Sequence, residues 1–200
     1  MERERTLKDK KIVVITGHSD PESFSGALSR AYIEGASSST AQVRYLDLSQ
    51  LTFDPILRYG YRQRMELEED LKQAQEWISW ADHLVIVYPV WWGAMPAILK
   101  GFFDRVLLSG FAYRMRDNSS MWDKLLTGKT AHMIVTMDTP RWYNRLIYNR
   151  ANHMIMKRNI LGFCGIKTVG ITEFTPVSSS SEQQRSSWLH LVKRLGEKLA

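Results

Sequence analysis

Hydrophobic and polar positions alternate along the chain between two kinds of pattern. Short runs of consecutive or alternating apolar residues are typical of buried strands, and they span residues 11–17, 42–48, 83–90, 130–137 and 167–174. Between them, apolar residues recur at helical spacing, which predicts helices over residues 23–36, 66–81, 95–107, 145–163 and 182–200. This alternation is typical of a parallel sheet with helices on both faces. We therefore predict a doubly wound α/β fold with a five-stranded parallel sheet.

We predict a single domain over residues 1–200, because the chain has no repeat and no long linker. A chain of 200 residues, 44% of them hydrophobic, can bury one sizeable core. We expect the charged residues 1–10 to be flexible. The sequence has no apolar run of about 18 residues and no secretory signal pattern, so we predict no membrane insertion. The single cysteine, Cys164, suits a reducing compartment, and we predict a cytoplasmic protein in which Cys164 is a small buried hydrophobe.

The net charge of +6 is unevenly distributed along the chain. Residues 1–138 carry 17 basic and 18 acidic side chains, a net charge of −1, whereas residues 139–200 carry 10 basic and 3 acidic side chains, a net charge of +7. This asymmetry indicates either an anionic partner or a solvated helix face. No nucleic-acid-binding motif accompanies the basic segment, so we predict no nucleic-acid partner. We also predict no bound metal.

Ligands of an open parallel sheet bind beyond the carboxyl ends of the strands, where the strand order reverses. Three loops should therefore form the site: residues 17–25, 88–95 and 136–143. The first, GHSDPESFS, leads into a helix whose free N–H groups and dipole can bind phosphate, and His18, Ser23 and Ser25 can add donors. Alternatively, Ser23 only caps the helix and His18 only occupies a turn. The loop matches neither the dinucleotide nor the triphosphate fingerprint.

The second loop contains two adjacent tryptophans, Trp91 and Trp92. Pro89 ends the preceding strand, and Gly93 allows close backbone approach. A flat aromatic ligand would stack against indole rings placed at this edge. Alternatively, the two rings cover a helix end or are buried between subunits.

The segments GHSDPESF and YPVWWGAMPAILKGFFDRVLLSGFAY resemble the flavodoxin-like NAD(P)H:quinone oxidoreductases. This family includes quinone reductase, the modulator of drug activity B proteins and the potassium-efflux ancillary flavoproteins, and the resemblance runs from Lys11 to Leu199. It implies a homodimeric flavodoxin-like enzyme that passes hydride from NAD(P)H through FMN or FAD to quinone-type acceptors. The resemblance also assigns the flavin phosphate to His18, Ser23, Phe24 and Ser25, and the flavin ring to Pro89, Val90, Trp91, Trp92 and Gly93.

The loop after the fourth predicted strand departs from the family pattern. Several members have a Thr-Thr-Gly-Gly-like turn around the pyrimidine end of the flavin, where this chain has TMDTP. We expect Thr136, Asp138 and Thr139 to replace the flavin contacts of that turn; alternatively, the loop follows a different path. Some quinone reductases place a Tyr and a His near the substrate, and the candidates here, chosen by nearness in sequence, are Tyr143 and His153.

The basic stretch begins directly after this loop with Arg141 and Arg145. Because the arginine fork bonds two phosphate oxygens at once, we predict that both bind the phosphates of NAD(P)H. Alternatively, they are solvated or pair with acids of a second subunit. Two other functions stay open, an electron-transfer flavodoxin and a flavin-binding regulatory subunit of a transport protein. Flavodoxins tend to be acidic and smaller, whereas this chain is basic and has an extra loop region over residues 109–130.

Overall fold

The structure is a computed structural model that describes residues 10–199, so the predicted flexibility of residues 1–9 lies outside the described residues. In chain order, the strands are β1 (Lys11–Thr16), β2 (Gln42–Asp47), β3 (His83–Pro89), β4 (Tyr113–Met115), β5 (Trp122–Lys124), β6 (Thr130–Thr136) and β7 (Lys167–Phe174). Five of them form a parallel sheet in the order β2-β1-β3-β6-β7. The predicted five-stranded parallel sheet is thus confirmed.

The helical segments are α1 (Phe24–Ser37), α2 (Glu69–Trp80), α3 (Ala97–Val106), α4 (Arg141–Leu146), α5 (Ala151–Met154), a π-helix (Ile155–Leu161), α6 (Gly162–Cys164) and α7 (Glu182–Glu197). Helices α1, α2, α3 and α7 confirm four of the five predicted helices, within a few residues at each end. Helices α1 and α7 cover one face of the sheet, and α2 and α3 cover the other.

Two sequence predictions about secondary structure were wrong. The predicted helix over residues 145–163 is not continuous, because Asn149 and Arg150 adopt left-handed φ values of 47° and 53° and break it between α4 and α5. The expected loop over residues 109–130 contains the antiparallel hairpin of β4 and β5. Neither feature has a strong sequence signal, since no Pro or Gly marks the break and each hairpin strand has only three residues.

The alternation of side chains along the strands divides the core into two layers. Ile12 and Val14 of β1 pack with α1 and α7, whereas Val13 and Ile15 pack with α2 and α3. All four side chains are fully buried, and burial of one such side chain stabilises a fold by about 1.5–3 kcal/mol. Cys164 is also buried, as predicted, and burial raises the pKa of its thiol to about 11.

Helices α1 and α7 approach each other closely because glycine lies at their crossing. A Cβ atom on Gly35 would lie 1.9 Å from the carbonyl oxygen of Lys193, and one on Gly196 would lie 2.1 Å from that of Tyr32. Any side chain at either position would push the helices apart. This tight crossing fixes α1, whose N-terminus borders the site described next.

Candidate functional site

The three loops predicted to form the site meet at the carboxyl edge of the sheet. The strand order reverses between β1 and β3, and Thr16 pairs with Val87 there. Past the strand ends, the N–H of Gly17 donates to the carbonyl of Val87, and the N–H of Val90 donates to that of Thr136. The loops that follow β1, β3 and β6 therefore leave the sheet side by side.

The loop after β1 presents the N-terminus of α1 to this edge. Ser23 caps the helix, because its Oγ accepts the N–H of Gly26 at 3.2 Å. The backbone N–H groups of Phe24 and Ser25 have no hydrogen-bond partner among the described residues. Nδ1 of His18 accepts the N–H of Asp20 at 2.9 Å, so the neutral imidazole carries its hydrogen on Nε2. Ser23 thus caps the helix and His18 occupies a turn. These roles leave three N–H donors free for an anion, two from the backbone and one from the imidazole.

A cavity of about 180 Å³ opens beside these donors. Nine of the residues predicted to bind the cofactor line it, namely His18, Ser23, Phe24, Ser25, Pro89, Val90, Trp91, Thr136 and Asp138, and Met137 and Val177 complete the wall. The indole of Trp91 lies edge-on to the imidazole of His18, with ring centroids 5.0 Å apart. The first tryptophan of the pair is therefore next to the phosphate-type loop.

The second tryptophan occupies a tight turn after β3. The N–H of Trp91 donates to the carbonyl of Ala94 at 2.8 Å, and the N–H of Ala94 donates back at 3.0 Å. The two central residues, Trp92 and Gly93, have φ values of 50° and 73°, which is typical of a type I′ turn. Their own N–H groups have no partner among residues 10–199, and the Trp92 side chain is fully exposed.

A second cavity, of about 550 Å³, adjoins the first on the side of this turn. Val90, Met137 and Asp138 line both cavities. The remaining walls of the larger cavity are formed by Trp92, Gly93, Thr139, Asn144, Tyr148, Ala151 and Asn152. The sheet edge thus offers a small recess beside a wider space that can hold a flat ring, and the two share part of their walls.

Asp138 and Thr139 also hold the loop after β7 against the site. Oδ1 of Asp138 accepts the N–H groups of Ser178 and Val177 at 2.7 and 3.0 Å. These bonds, with that of Ser178 first, lower the pKa of the Asp138 carboxyl. The carbonyl of Thr139 accepts the hydroxyl of Thr175 at 2.6 Å. Both residues line the site, and both have partners within the chain.

The predicted catalytic pair, Tyr143 and His153, lines neither cavity. His153 is buried, and its Nε2 lies 2.5 Å from Oε1 of Glu173. This bond holds the pKa of Glu173 below its usual value, and the charges of Arg150 and Arg141 act in the same direction. Tyr143 packs edge-on against Trp142 and Tyr148. A catalytic role for either residue stays a prediction.

The two arginines predicted to bind coenzyme differ in their surroundings. Arg141 donates to the carbonyl oxygen of Glu173, and its Nε lies 3.7 Å from the Glu173 carboxylate. Arg145 is exposed and has no salt-bridge partner among the described residues. Arg141 thus contacts an acid of its own chain, and the alternative that either arginine pairs with acids of a second subunit stays open.

Sequence reasoning missed the residues that complete the two cavities: Met137, Asn144, Tyr148, Ala151, Asn152 and Val177. Met137 follows directly after Thr136, so its position at the end of a predicted strand could have identified it. Val177 lies at the cavity wall, where its N–H donates to Asp138, and no sequence motif indicates that contact. Over residues 10–199, no cluster of three or more His, Cys, Asp or Glu side chains is arranged to hold a metal ion, and no helix is long and apolar enough to cross a bilayer.

Comparison with known proteins gives consistent matches over nearly the whole chain. Residues 10–197 match a protein family described as having a flavodoxin-like fold. A ribosyldihydronicotinamide dehydrogenase (quinone) of Pongo abelii is 30% identical over 206 residues, covering 90% of this chain and 87% of that protein. An uncharacterized NAD(P)H oxidoreductase of Haemophilus influenzae is 27% identical over 186 residues, covering 90% and 91%. The crystal structure of Smu.1420 from Streptococcus mutans UA159 superposes with a TM-score of 0.79 at 31% identity, covering 94% and 98%.

Proposed function

The chain belongs to the flavodoxin-like fold family, and from this premise we propose that it is a flavin-dependent NAD(P)H oxidoreductase that reduces quinones or similar electrophilic acceptors. Its relatives carry the names NAD(P)H oxidoreductase and quinone dehydrogenase, so the shared function is oxidoreduction. One observation carries the assignment of flavin. Free N–H donors and a small recess for a phosphate adjoin a wider cavity that has free N–H donors of its own.

The residues present fit a flavin in its two chemical parts. The N–H groups of Phe24 and Ser25, the hydroxyl of Ser23 and Nε2 of His18 would hold the phosphate at the positive end of α1. Around the ring, apolar contact would come from Pro89, Val90, Trp91, Trp92 and Met137, and polar contact from Gly93, Thr136, Asp138 and Thr139. FMN and FAD share both parts, so both are candidates.

The chain contributes position and electrostatics to the reaction. A bound flavin supplies the hydride chemistry between NAD(P)H and the acceptor. The free N–H groups of Trp92 and Gly93 are fixed by the turn at the border of the larger cavity, where they would stabilise negative charge that grows on reduction. Backbone donors fixed in this way need no reorganisation during the reaction, so no side-chain general acid or base is required.

We assign the coenzyme phosphates to Arg145, with Arg141 in a supporting position, because the exposed Arg145 guanidinium has no partner among the described residues whereas Arg141 contacts Glu173. Both arginines lie on α4, directly after the loop that borders the larger cavity. A reducing coenzyme carries two phosphates, and NADPH carries a third, so an exposed arginine on the helix that follows this loop suits either coenzyme.

We further propose that the protein acts as a homodimer in the cytoplasm. Several large apolar side chains are exposed on or near the wall of the larger cavity, namely Trp92, Trp142, Leu146, Ile147 and Tyr148. Contiguous exposed apolar and aromatic side chains are typical of protein interfaces, and a second copy would cover them and narrow the cavity. A lone, buried cysteine suits a reducing compartment.

A flavin titration followed by a coupled assay tests this proposal. We expect the purified chain to quench the fluorescence of FMN or FAD with micromolar or tighter affinity, and the loaded protein to sustain the oxidation of NADH or NADPH over many turnovers when a benzoquinone is present. Light scattering of the loaded protein should give twice the chain mass of 23.2 kDa. Failure to bind either flavin would overturn the proposal. Flavin binding without quinone-dependent oxidation would favour an electron-transfer or regulatory protein. A monomeric mass would contradict only the proposed homodimer.

A further inference from the structure

Asn144 carries a buried amide group that the fold does not satisfy. The residue lies on α4 and is only 2% exposed. Its Nδ2 is buried and has no hydrogen-bond partner among residues 10–199, and the residue lines the larger cavity. Because buried polar groups in native proteins are almost always paired, an orphan donor at a cavity wall indicates a partner that comes from outside the chain.

Asn152, on α5, points to the same ligand chemistry. It is 6% exposed and lines the same cavity. Its Oδ1 accepts the backbone N–H of His153 at 2.8 Å, which leaves the amide NH₂ group as its free end. This hydrogen bond to the backbone orients the amide of Asn152.

Several N–H donors border this cavity. The free N–H groups of Trp92 and Gly93 border it, together with the two side-chain amides. Asp138 is the carboxylate of the lining, and its Oδ1 already accepts two backbone N–H groups. A ligand that fits such a wall presents carbonyl oxygens and gains negative charge in the reaction.

The sequence of the loop after β6 explains why side chains are needed here. In TMDTP, Pro140 has no backbone N–H to donate. The loop therefore has fewer backbone donors than a glycine-rich turn would offer. The break at Asn149 and Arg150 lets α4 and α5 both border the cavity.

We propose that Asn144, assisted by Asn152, donates hydrogen bonds to the carbonyl oxygens at the pyrimidine edge of the bound flavin ring. This inference rests on the proposed function and deepens it by naming the residues that position the ring. Because negative charge increases at that edge on reduction, the same donors bind the reduced ring more tightly than the oxidised ring. They therefore raise the reduction potential of the bound flavin.

The replacement Asn144→Leu tests the proposal, since leucine has a similar volume and no polar atom. We expect the dissociation constant of the oxidised flavin to rise roughly tenfold, because a buried carbonyl loses its donor. We expect the dissociation constant of the reduced flavin to rise about tenfold more than that of the oxidised flavin, which lowers the two-electron midpoint potential by about 30 mV. The thermal midpoint of the flavin-free chain should stay equal or rise, because an unsatisfied buried amide has been removed. If Asn144 only stabilised the fold, its replacement would lower the thermal midpoint.

A matched control is Asn159→Leu, an exposed asparagine of the π-helix that lies outside this cavity. It should leave both the flavin affinity and the midpoint potential unchanged. A second measurement needs no variant: the wild-type chain should bind 2-thio- and 4-thio-FMN less tightly than FMN, since sulfur is a weaker acceptor than oxygen. That discrimination should shrink in Asn144→Leu.

Several outcomes would overturn the proposal. One is wild-type affinity and potential in Asn144→Leu. Another is equal affinity of the wild-type chain for FMN and both thioflavins, a result that stands even if the variant fails to fold. A raised KM for the quinone with unchanged flavin affinity would place Asn144 against the acceptor instead. If the wild-type chain binds neither FMN nor FAD, the proposed function fails first, and this inference fails with it.

Discussion

Trp92 combines two features that cost the isolated chain free energy. Its left-handed φ of 50° costs a residue with a side chain about 1–2 kcal/mol, whereas Gly93 adopts the same region without a steric penalty. Its indole is also fully exposed. Residues held in sparsely populated backbone regions cluster at binding and catalytic sites. Together with the unpaired amide of Asn144, Trp92 indicates that this edge of the sheet is built for a ligand and not for the stability of the free chain.

A pair of substitutions separates the ring of Trp92 from its backbone. Trp92→Gly and Trp92→Ala both remove the indole, but only glycine relieves the left-handed conformation. We expect Trp92→Gly to have a free energy of unfolding roughly 1 kcal/mol above that of Trp92→Ala, measured by urea denaturation. Flavin affinity should fall equally in both. If the flavin affinities of the two variants differ as much as their stabilities, the backbone and not the ring contacts the ligand.

At the scale of elements, the strands could be predicted because a central parallel strand is a run of buried β-branched residues. The strands β1, β3 and β6 all show this pattern. The break between α4 and α5 could not be predicted, since the apolar period continues through Asn149 and Arg150 without a Pro or a Gly. The left-handed conformation of Asn149 and Arg150 depends on tertiary structure, which local propensity does not encode.

The same distinction holds for the candidate site. Topology alone placed the loops after β1, β3 and β6 at one edge, and nine predicted residues line the smaller cavity there. Asn144, Asn152 and Val177 could not be predicted, because a helix break and a contact between distant loops bring them in. Tyr143 and His153 are candidates only by nearness in sequence, and the fold places Nε2 of His153 beside Glu173.

Helix α4 permits a test of coenzyme binding by matched arginines. We expect Arg145→Ala to raise the KM for NADPH about two- to fivefold, the size of one exposed charge interaction, and to affect NADH less. Arg141→Ala should have the smaller effect, because its guanidinium already contacts Glu173. The NADPH preference should shrink with rising salt. Steady-state kinetics with both coenzymes provides the measurement.

The control for that measurement is Arg194→Ala. Arg194 is exposed near the end of α7, and the carbonyl of Leu199 beyond that helix accepts a hydrogen bond from Lys10, which precedes β1. This contact places the end of α7 at the opposite edge of the sheet. An equal rise of KM for both coenzymes in Arg145→Ala would indicate a structural role, and unchanged kinetics would remove Arg145 from the site.

At the scale of the whole molecule, the two edges of the sheet have different tasks. The carboxyl edge carries the free donors and the two cavities, whereas the opposite edge buries polar groups that are mostly paired within the chain. His83 begins β3, and its Nδ1 lies 2.7 Å from the hydroxyl of Thr130. His132 of β6 bonds the hydroxyl of Thr172 through Nε2 at 2.8 Å. These contacts join neighbouring strands away from the two cavities.

This buried histidine pair predicts how the stability of the molecule depends on pH. Burial first, then the charges of Lys10 and His132, lower the pKa of His83 to about 3, and burial lowers the pKa of His132. Between the ordinary histidine pKa of about 6.5 and these lowered values, the unfolded chain binds protons that the native chain does not. Stability is therefore complete above about pH 6.5 and falls as the pH drops, by at most about 1.4 kcal/mol per pH unit for each histidine.

Urea unfolding at pH 7, 6 and 5 measures this slope. His83→Gln keeps a hydrogen-bonding side chain that does not titrate. We therefore expect the free energy of unfolding to depend less steeply on pH, by the amount that corresponds to about one proton bound on unfolding. His190→Gln, on the exposed surface of α7, is the control and should leave the slope of the parent chain unchanged. The lowered pKa of Glu173 adds a further loss, but only at lower pH, because a carboxylate loses its stabilising contribution as the pH falls through its own depressed pKa. A slope in His83→Gln equal to that of the parent chain would show that His83 binds its proton as readily in the native state as in the unfolded chain, and the acid sensitivity would then have to arise from other groups, beginning with His132.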